Sequence, residues 1–491
     1  MIGFHFLTTP KIGTGHARRC SVLAHALSEA GLDITIFSDE PTIKFSRLHF
    51  PDTCHFYKIR PDPESLLSAL EGKTIDSLVV DLYELDCKIE QKLRSKVRSL
   101  VILDDFVGRQ HDCDILVDQN PGRIVSDWIE LQAKGTIVLA GAGYALLRNE
   151  FYSMRKSSLR QVGENRKRPR IFICFGGVDI KNLTLRSCRA IFSAFGDTLE
   201  YDIAIGSGSL HLDKLISLVE AVPSARLHVD SQDVADLMAG ATVSVGAPGS
   251  MTLERCCLRL PSILVSFVDN QVEIGRMAED MRIASYLGDY DGTAPHRISL
   301  ALGDLMNNPE KLQIMSERAG RITDGLGAGR VAAAILPEQD RHGVDIRLRF
   351  MREDDIEQIF SWQDSEGLRK FSNNSESISW ADHQKWSQGR LLNFPMETYI
   401  ACDGNMIPVG LLHLAPMAVG GFLISLLVAP QSQGRGIATA MLKSLEKIYS
   451  RVPLYAVINK ENIASIKAFL ATGFVSQGEH YVLAPKTESK V

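Results

Sequence analysis

Over the first part of the chain, short hydrophobic runs alternate with longer amphipathic stretches. The runs have the length of buried strands and lie at residues 4–8, 34–37, 77–80 and 100–103, and the last two are each followed by aspartate. Residues 16–30 place apolar side chains at helical spacing, and Gly31 is a typical helix stop. This alternation predicts a parallel sheet covered by helices, in a domain over residues 1–155.

The same pattern returns after a basic run at residues 166–170, which we interpret as a solvated linker. Hydrophobic runs predict further strands, at residues 171–175, 201–205, 225–229, 242–245 and 263–267. Helices are predicted between them, at residues 183–195, from 234 onward and at 251–260. Residues 168–336 are therefore expected to form a second Rossmann-type domain, and two such domains in one chain describe the GT-B architecture.

The pattern changes near Val344. Strands are predicted at residues 345–350, 397–402, 409–414 and 421–428, in an order typical of an antiparallel sheet with a few helices. We therefore expect a C-terminal α+β domain over residues 344–487. The expected fold class is α/β, a GT-B-like pair of Rossmann-type domains followed by this α+β domain.

The length of 491 residues also suits about three domains. A hydrophobic content of 45% is ordinary for a globular protein, and a net charge of −5 gives no sign of nucleic-acid binding. The nine cysteines are scattered without a Cys-x-x-Cys pair, so we expect reduced thiols, no metal and a cytoplasmic location. No apolar stretch approaches the ~18 residues of a membrane span, and the first residues lack the pattern of a signal peptide.

A glycine loop joins the first predicted strand to the first helix, with the sequence Gly13-Thr14-Gly15-His16. The glycines let the backbone approach a ligand, and a helix start offers free N–H groups. A helix N-terminus also disfavours the charged imidazolium, so we expect a neutral His16 that can accept a proton from water. A histidine that only caps the helix is the alternative.

Two turns of the second segment have the features of a phosphate site. Gly176 and Gly177 follow one predicted strand, and Gly249 and Ser250 follow another and precede a helix. Backbone N–H groups at such a helix start suit a phosphate group.

Polar side chains follow the second of these turns. Glu254 lies about one helical turn further on, where its carboxylate suits two ribose hydroxyls, although a plain surface carboxylate is the alternative. After the next strand, the amides of Asn270 and Gln271 suit sugar hydroxyls or an acetamido group. The order of glycine turn, glutamate, strand and amides favours a nucleotide-sugar site.

These motifs, in this order, resemble the UDP-sugar hydrolase family of pseudaminic acid biosynthesis, which shares its fold with the glycosyltransferase that completes lipid II. The matching segments are residues 13–19, 103–105, 144–151, 174–179, 182–184, 249–255 and 270–271. The resemblance implies hydrolysis of UDP-2,4-diacetamido-2,4,6-trideoxy-β-L-altrose to UDP and the free sugar. It implies that His16 activates the attacking water, and Asn270 is the second expected catalytic residue. The expected substrate-binding residues are Gly13, Gly15, Gly176, Gly177, Gly249, Ser250, Glu254 and Gln271.

Two residues depart from the family pattern. Met251 stands where a small or hydroxyl residue is usual, and Asp118 stands where asparagine is common. These differences leave the exact sugar open and do not affect the expected nucleotide.

The C-terminal segment has a ligand-binding pattern of its own. An apolar strand leads into Gln431-x-x-Gly434-x-Gly436 and then an amphipathic helix, so successive N–H groups are available to a pyrophosphate, with a plain surface loop as the alternative. Together with Asn462 downstream, residues 344–484 resemble the GNAT family of N-acetyltransferases. The resemblance implies acetyl-CoA as co-substrate. Its expected binding residues are Leu427, Val428, Gln433, Gly434, Arg435, Gly436, Ile437, Ala438 and Asn462.

One departure affects the expected chemistry of that domain. Many GNAT members carry a tyrosine at the position of Phe469, where it protonates the departing thiolate. Phenylalanine has no such proton. Tyr481, Tyr455, Ser465 or solvent are the remaining candidates.

The two resemblances together imply one bifunctional enzyme. Its acetyltransferase would acetylate the 4-amino group of a UDP-4-amino-sugar precursor, and its hydrolase would then remove UDP. The expected partners are UDP-linked amino sugars, with no nucleic acid and no membrane. Three alternatives stay open: a UDP-sugar glycosyltransferase fused to an acetyltransferase of other specificity, a non-catalytic nucleotide-sugar sensor, and a GNAT enzyme that modifies protein N-termini or lysines.

Overall fold

The computed structural model describes residues 1–8, 14–161, 168–177, 179–365, 378–393 and 397–486, apart from the side chains of residues 156–161, 270, 392 and 393. The chain divides into two compact units. The first contains Met1–Asp118, Val125–Leu139 and Ala328–Val491, and the second contains Gln119–Ile124 and Ala140–Gly327. The first unit has two sheets and the second unit has one.

Seven strands form the first sheet: β1 (Ile2–Phe6), β2 (Ile34–Ser38), β3 (His55–Lys58), β4 (Ser77–Asp81), β5 (Leu100–Leu103), β6 (Ile115–Asp118) and β7 (Ile137–Ala140). Their spatial order is β3-β2-β1-β4-β5-β6-β7, and the neighbouring pairs from β3 to β6 run parallel. The connecting helices are α1 (Gly15–Glu29), α2 (Glu40–His49), α3 (Pro63–Leu70) and α4 (Cys87–Arg94). The strand order reverses between β1 and β4, and open α/β sheets bind ligands beyond the carboxyl ends of the strands at such a switch point.

Local sequence explains these elements. Every residue of β1, β2 and β4 is buried, as expected for parallel strands covered on both faces. Helices α2, α3 and α4 each begin after an aspartate whose side chain accepts a hydrogen bond from a backbone N–H of the first turn, which stabilises each helix by about 1 kcal/mol. The strand predicted at residues 4–8 is instead Ile2–Phe6, because Ile2 is buried and pairs with Ile34.

The second unit has one six-stranded parallel sheet. Its strands are β8 (Arg170–Cys174), β9 (Glu200–Ile205), β10 (Ala225–Val229), β11 (Val243–Gly246), β12 (Ser262–Ser266) and β13 (Ala284–Asp289). Their order is β10-β9-β8-β11-β12-β13, with the switch point between β8 and β11. The helices of this unit are α5 (Asn149–Gln161), α6 (Leu183–Phe195), α7 (Leu212–Glu220), α8 (Val234–Ala239), α9 (Ser250–Cys257), α10 (Val272–Asp280), α11 (Ala294–Met306) and α12 (Pro309–Ala319).

After α13 (Gly327–Ile335), the chain forms the eight-stranded sheet of the α+β domain. Its strands are β14 (Glu338–Gln339), β15 (Asp345–Phe350), β16 (Thr398–Cys402), β17 (Pro408–Pro416), β18 (Phe422–Val428), β19 (Leu454–Val457), β20 (Val475–Gln477) and β21 (His480–Leu483). The order is β14-β15-β16-β17-β18-β19-β21-β20, antiparallel except for the parallel pair β18–β19. Its helices are α14 (Ile356–Gln363), α15 (Trp380–Asn393), α16 (Ile437–Ile448) and α17 (Ile463–Leu470). The four strands predicted here are confirmed.

All nine cysteines are free thiols, in agreement with the sequence-based expectation. Within the ranges described above, no helix is both long enough and apolar enough to cross a bilayer. The same ranges contain no group of three or more His, Cys, Asp or Glu side chains arranged to hold a metal ion.

Candidate functional site

His16 lies in the first turn of α1, at the carboxyl edge of the first sheet. Strands β1 and β4 are neighbours there, and Asp81 is the last residue of β4. Nδ1 of His16 is 2.6 Å from Oδ1 of Asp81. A ring that donates its Nδ1–H to this carboxylate carries its lone pair on Nε2, which is the atom a general base needs. In the described part of the chain, Nε2 has no hydrogen-bonding partner.

Asp81 is also bound by Arg19, from the next turn of α1. Nε of Arg19 donates to Oδ2 and Nη2 donates to Oδ1, both at 2.6 Å. Burial alone would raise the pKa of Asp81, but the charges and hydrogen bonds of Arg19 and His16 lower it well below its ordinary value. Asp81 is therefore a buried carboxylate that fixes the orientation of the His16 ring.

Two further side chains complete this cluster. Nη1 of Arg19 donates to Oδ2 of Asp105 at 2.8 Å, and the hydroxyl of Tyr83 donates to Oδ1 of the same carboxylate at 2.6 Å. The Tyr83 ring meets the His16 ring edge to face, with centroids 4.7 Å apart. The imidazole is therefore held on one side by a carboxylate and on another by an aromatic ring.

A second buried cluster supports the turn that carries Asp105. His111 donates or accepts through both ring nitrogens, with Nδ1 2.8 Å from Glu90 and Nε2 3.1 Å from Asp104. Burial alone would lower the pKa of His111, but the hydrogen bonds with Asp104 and Glu90 raise it to about 9. The backbone N–H of Phe106 donates to Asp104, so the cluster anchors both sides of Asp105.

The sequence analysis identified His16 but not its partners Asp81, Arg19 and Tyr83. An aspartate follows each of two predicted strands, at residues 81 and 104. This pattern could have indicated Asp81, because the carboxyl ends of neighbouring parallel strands meet at one edge of the sheet. Of the two predicted loop glycines, Gly15 is the first residue of α1, and Gly13 lies outside the described residues.

The glycine turns of the second unit lie together, at its own switch point. Gly176 and Gly177 follow β8, and Gly246 ends β11, paired with Cys174. Gly176 has φ +108°, a conformation that favours glycine. A side chain at Gly246 would collide with the carbonyl oxygen of Cys174, so this position also requires glycine.

The helix predicted after these turns is α9. Gly249 is its N-cap residue, and Ser250 is its exposed first residue. The N–H of Gly249 donates to Oγ1 of Thr252 at 3.1 Å, which holds the turn in place. Glu254 is half-buried on the same helix.

The predicted amide pair follows β12. Oε1 of Gln271 accepts a hydrogen bond from the backbone N–H of Phe267 at 3.0 Å, so this oxygen holds the turn. The side chain of Asn270 lies outside the described part of the structure.

In the α+β domain, β18 and β19 separate along their length. They pair only at Phe422–Leu454 and Leu423–Tyr455. Leu427 and Val428 therefore remain paired with β17 on one side, while their other edge has no strand partner among the described residues. Free backbone groups along this edge suit an extended ligand with amide groups.

The loop after β18 presents a series of free N–H groups. Gly434 and Gly436 adopt φ of +77° and +86°, and Gly436 is the N-cap residue of α16. Within the described residues, the backbone N–H groups of residues 434–438, which include Arg435, Ile437 and Ala438, have no acceptor. Such a concave series of donors at a helix start is a typical anion site.

Two side chains predicted to bind the cofactor are engaged elsewhere. Arg435 donates through Nε and Nη2 to Oδ2 of Asp340 at 2.9 and 2.6 Å, so only its backbone N–H faces the loop. Oδ1 of Asn462 accepts from the N–H of Ser465 at 3.1 Å and caps α17. Gln433 precedes the first glycine and continues the turn, with its N–H bonded to Pro430.

The candidate proton donors lie near the point where the strands separate. Tyr455 is half-buried at the last paired position of β19. Tyr481, on β21, is 5% exposed, and its ring centroid is 6.4 Å from that of Phe469. The ring of Tyr481 therefore lies next to that of Phe469.

Comparisons with known proteins find similarity both to an acetyltransferase domain and to a nucleotide-sugar hydrolase. Residues 345–475 match the acetyltransferase (GNAT) domain family. The chain is 29% identical over 273 residues to the UDP-2,4-diacetamido-2,4,6-trideoxy-beta-L-altropyranose hydrolase of Campylobacter jejuni, which covers 54% of this chain and 90% of that protein. It is 23% identical over 485 residues to an uncharacterized protein of Methanocaldococcus jannaschii, with 94% of each chain covered.

Among solved structures, MurG of Acinetobacter baumannii has a similar fold, with a TM-score of 0.51 at 12% identity, over 68% of this chain and 98% of that one. The chain therefore combines a GT-B-like pair of Rossmann-type domains with a C-terminal GNAT domain, and the fold class predicted from sequence is confirmed.

Proposed function

We propose that this protein is a bifunctional enzyme of pseudaminic acid biosynthesis. It hydrolyses UDP-2,4-diacetamido-2,4,6-trideoxy-β-L-altrose to UDP and the free sugar, and it acetylates the 4-amino group of the UDP-4-amino-sugar precursor with acetyl-CoA. The observation that carries the proposal is the His16–Asp81 pair, 2.6 Å apart at the switch point of the first sheet, and the similarity of 54% of the chain to the Campylobacter hydrolase supports it.

In the hydrolytic step, His16 acts as general base. Nδ1–H is held by Asp81, and the lone pair on Nε2 accepts a proton from water as the water oxygen bonds to the anomeric carbon. The bond between that carbon and the diphosphate oxygen breaks, and UDP leaves with the electron pair. A positioned base contributes about 10²–10⁴-fold to such a reaction.

The second sheet supplies the binding groups for UDP. We assign the diphosphate to the turn at Gly249 and Ser250, where the N-terminus of α9 favours negative charge, and the ribose to Glu254. Gly176 and Gly177 line the neighbouring turn, and Asn270 and Gln271 are assigned to the sugar. Charge that develops on the leaving diphosphate is stabilised by the same N–H groups.

In the acetyl transfer step, the N–H groups of residues 434–438 hold the pyrophosphate of acetyl-CoA, and the free edge at Leu427 and Val428 aligns the thioester arm. The neutral substrate amine bonds to the thioester carbon, the C–S bond breaks, and the amine nitrogen loses a proton to solvent. The departing thiolate takes a proton from Tyr481, for which Tyr455 and Ser465 are the alternatives.

The two activities act in sequence on one type of molecule, because the acetylated product of the GNAT domain is the substrate of the hydrolase. UDP-linked amino sugars and acetyl-CoA are the substrates this scheme requires, and the location it suits is the cytoplasm. We assign residues 1–155, 168–336 and 344–487 as the three functional domains.

The test is to incubate the protein with the UDP-4-amino sugar and acetyl-CoA and to follow the products by mass spectrometry. We expect the mono-acetylated nucleotide sugar to form first and UDP with the free diacetamido sugar to follow. His16→Asn should stop at the acetylated UDP-sugar while still binding UDP. UDP release that requires an acceptor other than water would instead identify a glycosyltransferase, and binding without turnover would identify a sensor.

A further inference from the structure

A buried arginine lies beneath the two glycine turns of the second unit. Arg255 is on α9 and is only 1% exposed. Nε donates to Oγ of Ser244 and Nη1 donates to the carbonyl oxygen of Ala247, both at 2.9 Å. A side chain at Gly246 would collide with Nη2, so the guanidinium lies directly under the turn that leads into α9.

The remaining guanidinium nitrogen, Nη2, is buried, and among the residues that the structure describes it has no hydrogen-bond acceptor. In the described part of the chain, no carboxylate forms an ion pair with it. Burial lowers the pKa of Arg255 from its ordinary value, and the electrostatic influence of Cys174 and Glu254 offsets this only in part. An arginine remains protonated under these conditions, so its positive charge is buried without a paired carboxylate among the described residues.

Such a charge is expensive to bury, because the hydrogen bonds of Nε and Nη1 replace only part of the solvation that is lost on removal from water. The position of this charge points to a role in ligand binding. It lies at the carboxyl edge of the sheet, beside the ends of β8 and β11, where parallel sheets bind ligands. The N-terminus of α9, which is also positive, begins at the same turn.

We propose that Arg255 is a positioning residue for the diphosphate of the nucleotide: its guanidinium holds the turn at residues 246–249 through Ala247 and supplies the buried positive charge that the bound diphosphate neutralises. The inference rests on the proposed function and extends it, because it assigns the selectivity for a diphosphate over an uncharged nucleoside to this residue. In a protein interior this attraction is screened little by water or salt.

The test compares ligands that share a uridine and differ in charge. UDP and uridine are titrated by calorimetry into the full-length protein and into Arg255→Gln, which keeps a donor to the turn but removes the charge. We expect the variant to bind UDP about tenfold or more weakly, and uridine with nearly unchanged affinity. Ser244→Ala is the matched control, because it removes the partner of Nε and leaves the charge; it should keep the preference for UDP.

A purely structural role predicts that Arg255→Gln weakens UDP and uridine equally, and this result would overturn the inference. If Arg255→Gln does not fold, the deciding variant is Arg255→Lys, because lysine retains the positive charge. Arg255→Lys should keep the preference for UDP over uridine, and loss of that preference would contradict the proposal. Wild-type protein that binds uridine and UDP equally would also end it. Wild-type protein that binds neither ligand would reject the proposed function itself, which separates the two failures.

Discussion

Nδ1 of His16 lies 2.6 Å from Oδ1 of Asp81, although the two residues are 65 positions apart in the chain. The same carboxylate accepts two hydrogen bonds from Arg19. A helix start alone offers a histidine no fixed orientation, whereas this carboxylate holds Nδ1–H and directs Nε2 away from it. The proposed base therefore depends on a residue of another strand.

Asp81→Asn should reduce hydrolysis strongly while leaving substrate binding nearly intact. The asparagine amide can turn its NH₂ group toward His16 and favour the tautomer whose Nε2 carries the proton, so we expect kcat to fall about 10²–10⁴-fold with little change in KM. Steady-state UDP release measures this. Asp76→Asn, which changes a carboxylate paired at the surface with the N-terminus and Arg98, is the control and should retain activity. An unchanged kcat in Asp81→Asn would remove the pair from the mechanism.

The His111 cluster should make stability depend on pH above neutrality. The pKa of His111 is raised to about 9 in the folded protein, so its stabilisation is complete below the ordinary value near 6.5 and is lost as pH rises through about 9. The contribution is on the order of 3 kcal/mol at neutral pH.

Thermal unfolding of the wild type and His111→Gln between pH 7 and pH 10 measures this effect. We expect a higher midpoint for the wild type at pH 7 and a smaller difference at pH 10, where His111 has lost its proton. A difference that stays constant across this range would mean that the ion pairs with Glu90 and Asp104 do not stabilise the fold.

Gly436→Ala should weaken acetyl-CoA binding. Gly436 has φ +86°, and a Cβ atom would lie 3.1 Å from Cγ of Arg341, so an alanine strains the turn that presents the N–H groups. Strain of ~1–2 kcal/mol corresponds to about tenfold in affinity, measured by calorimetry with acetyl-CoA. Gly478→Ala, at φ +79° in the turn between β20 and β21 with open space around it, is the matched control. Equal effects of the two variants would argue against the loop as the pyrophosphate site.

Tyr481→Phe should slow acetyl transfer by removing the proposed proton donor for the thiolate. A loss of about tenfold or more in kcat, without a change in the KM for acetyl-CoA, is expected for a positioned acid. Tyr455→Phe is the comparison, because this phenol lies on the neighbouring strand at the last paired position. If Tyr455→Phe alone slows the reaction, the role belongs to Tyr455, and if neither variant does, Ser465 or solvent supplies the proton.

Features that depend on residues close together in the sequence were predictable from the sequence alone. Hydrophobic periodicity located α1 and the strands of the α+β domain, whereas β1 lies two positions earlier than predicted because Ile2 pairs with Ile34 of β2. Glycine turns before helices located the loops at Gly249 and Gly436. A helix start and a positive φ are local properties, so no knowledge of distant residues was needed.

The hydrogen-bonding partners of individual side chains were less predictable from the sequence. Gln271 and Asn462 were expected to face ligands, and each has an oxygen that accepts a backbone N–H in its own turn. The side chain of Arg435 pairs with Asp340, which lies far from it in sequence. Short polar side chains near turns commonly bond to nearby backbone, and a motif alone does not separate that role from ligand binding.

The sequence by itself determined where strands, helices and glycine turns occur, because these follow from the period of apolar residues and from backbone preferences within a few positions. Only the tertiary structure decided that Asp81 meets His16, that β18 and β19 separate, and that Arg255 is buried beneath a glycine turn. Each of these depends on strand order and packing between residues far apart in the chain. Such contacts are selected by burial of the whole core and have no signature in any short stretch of sequence.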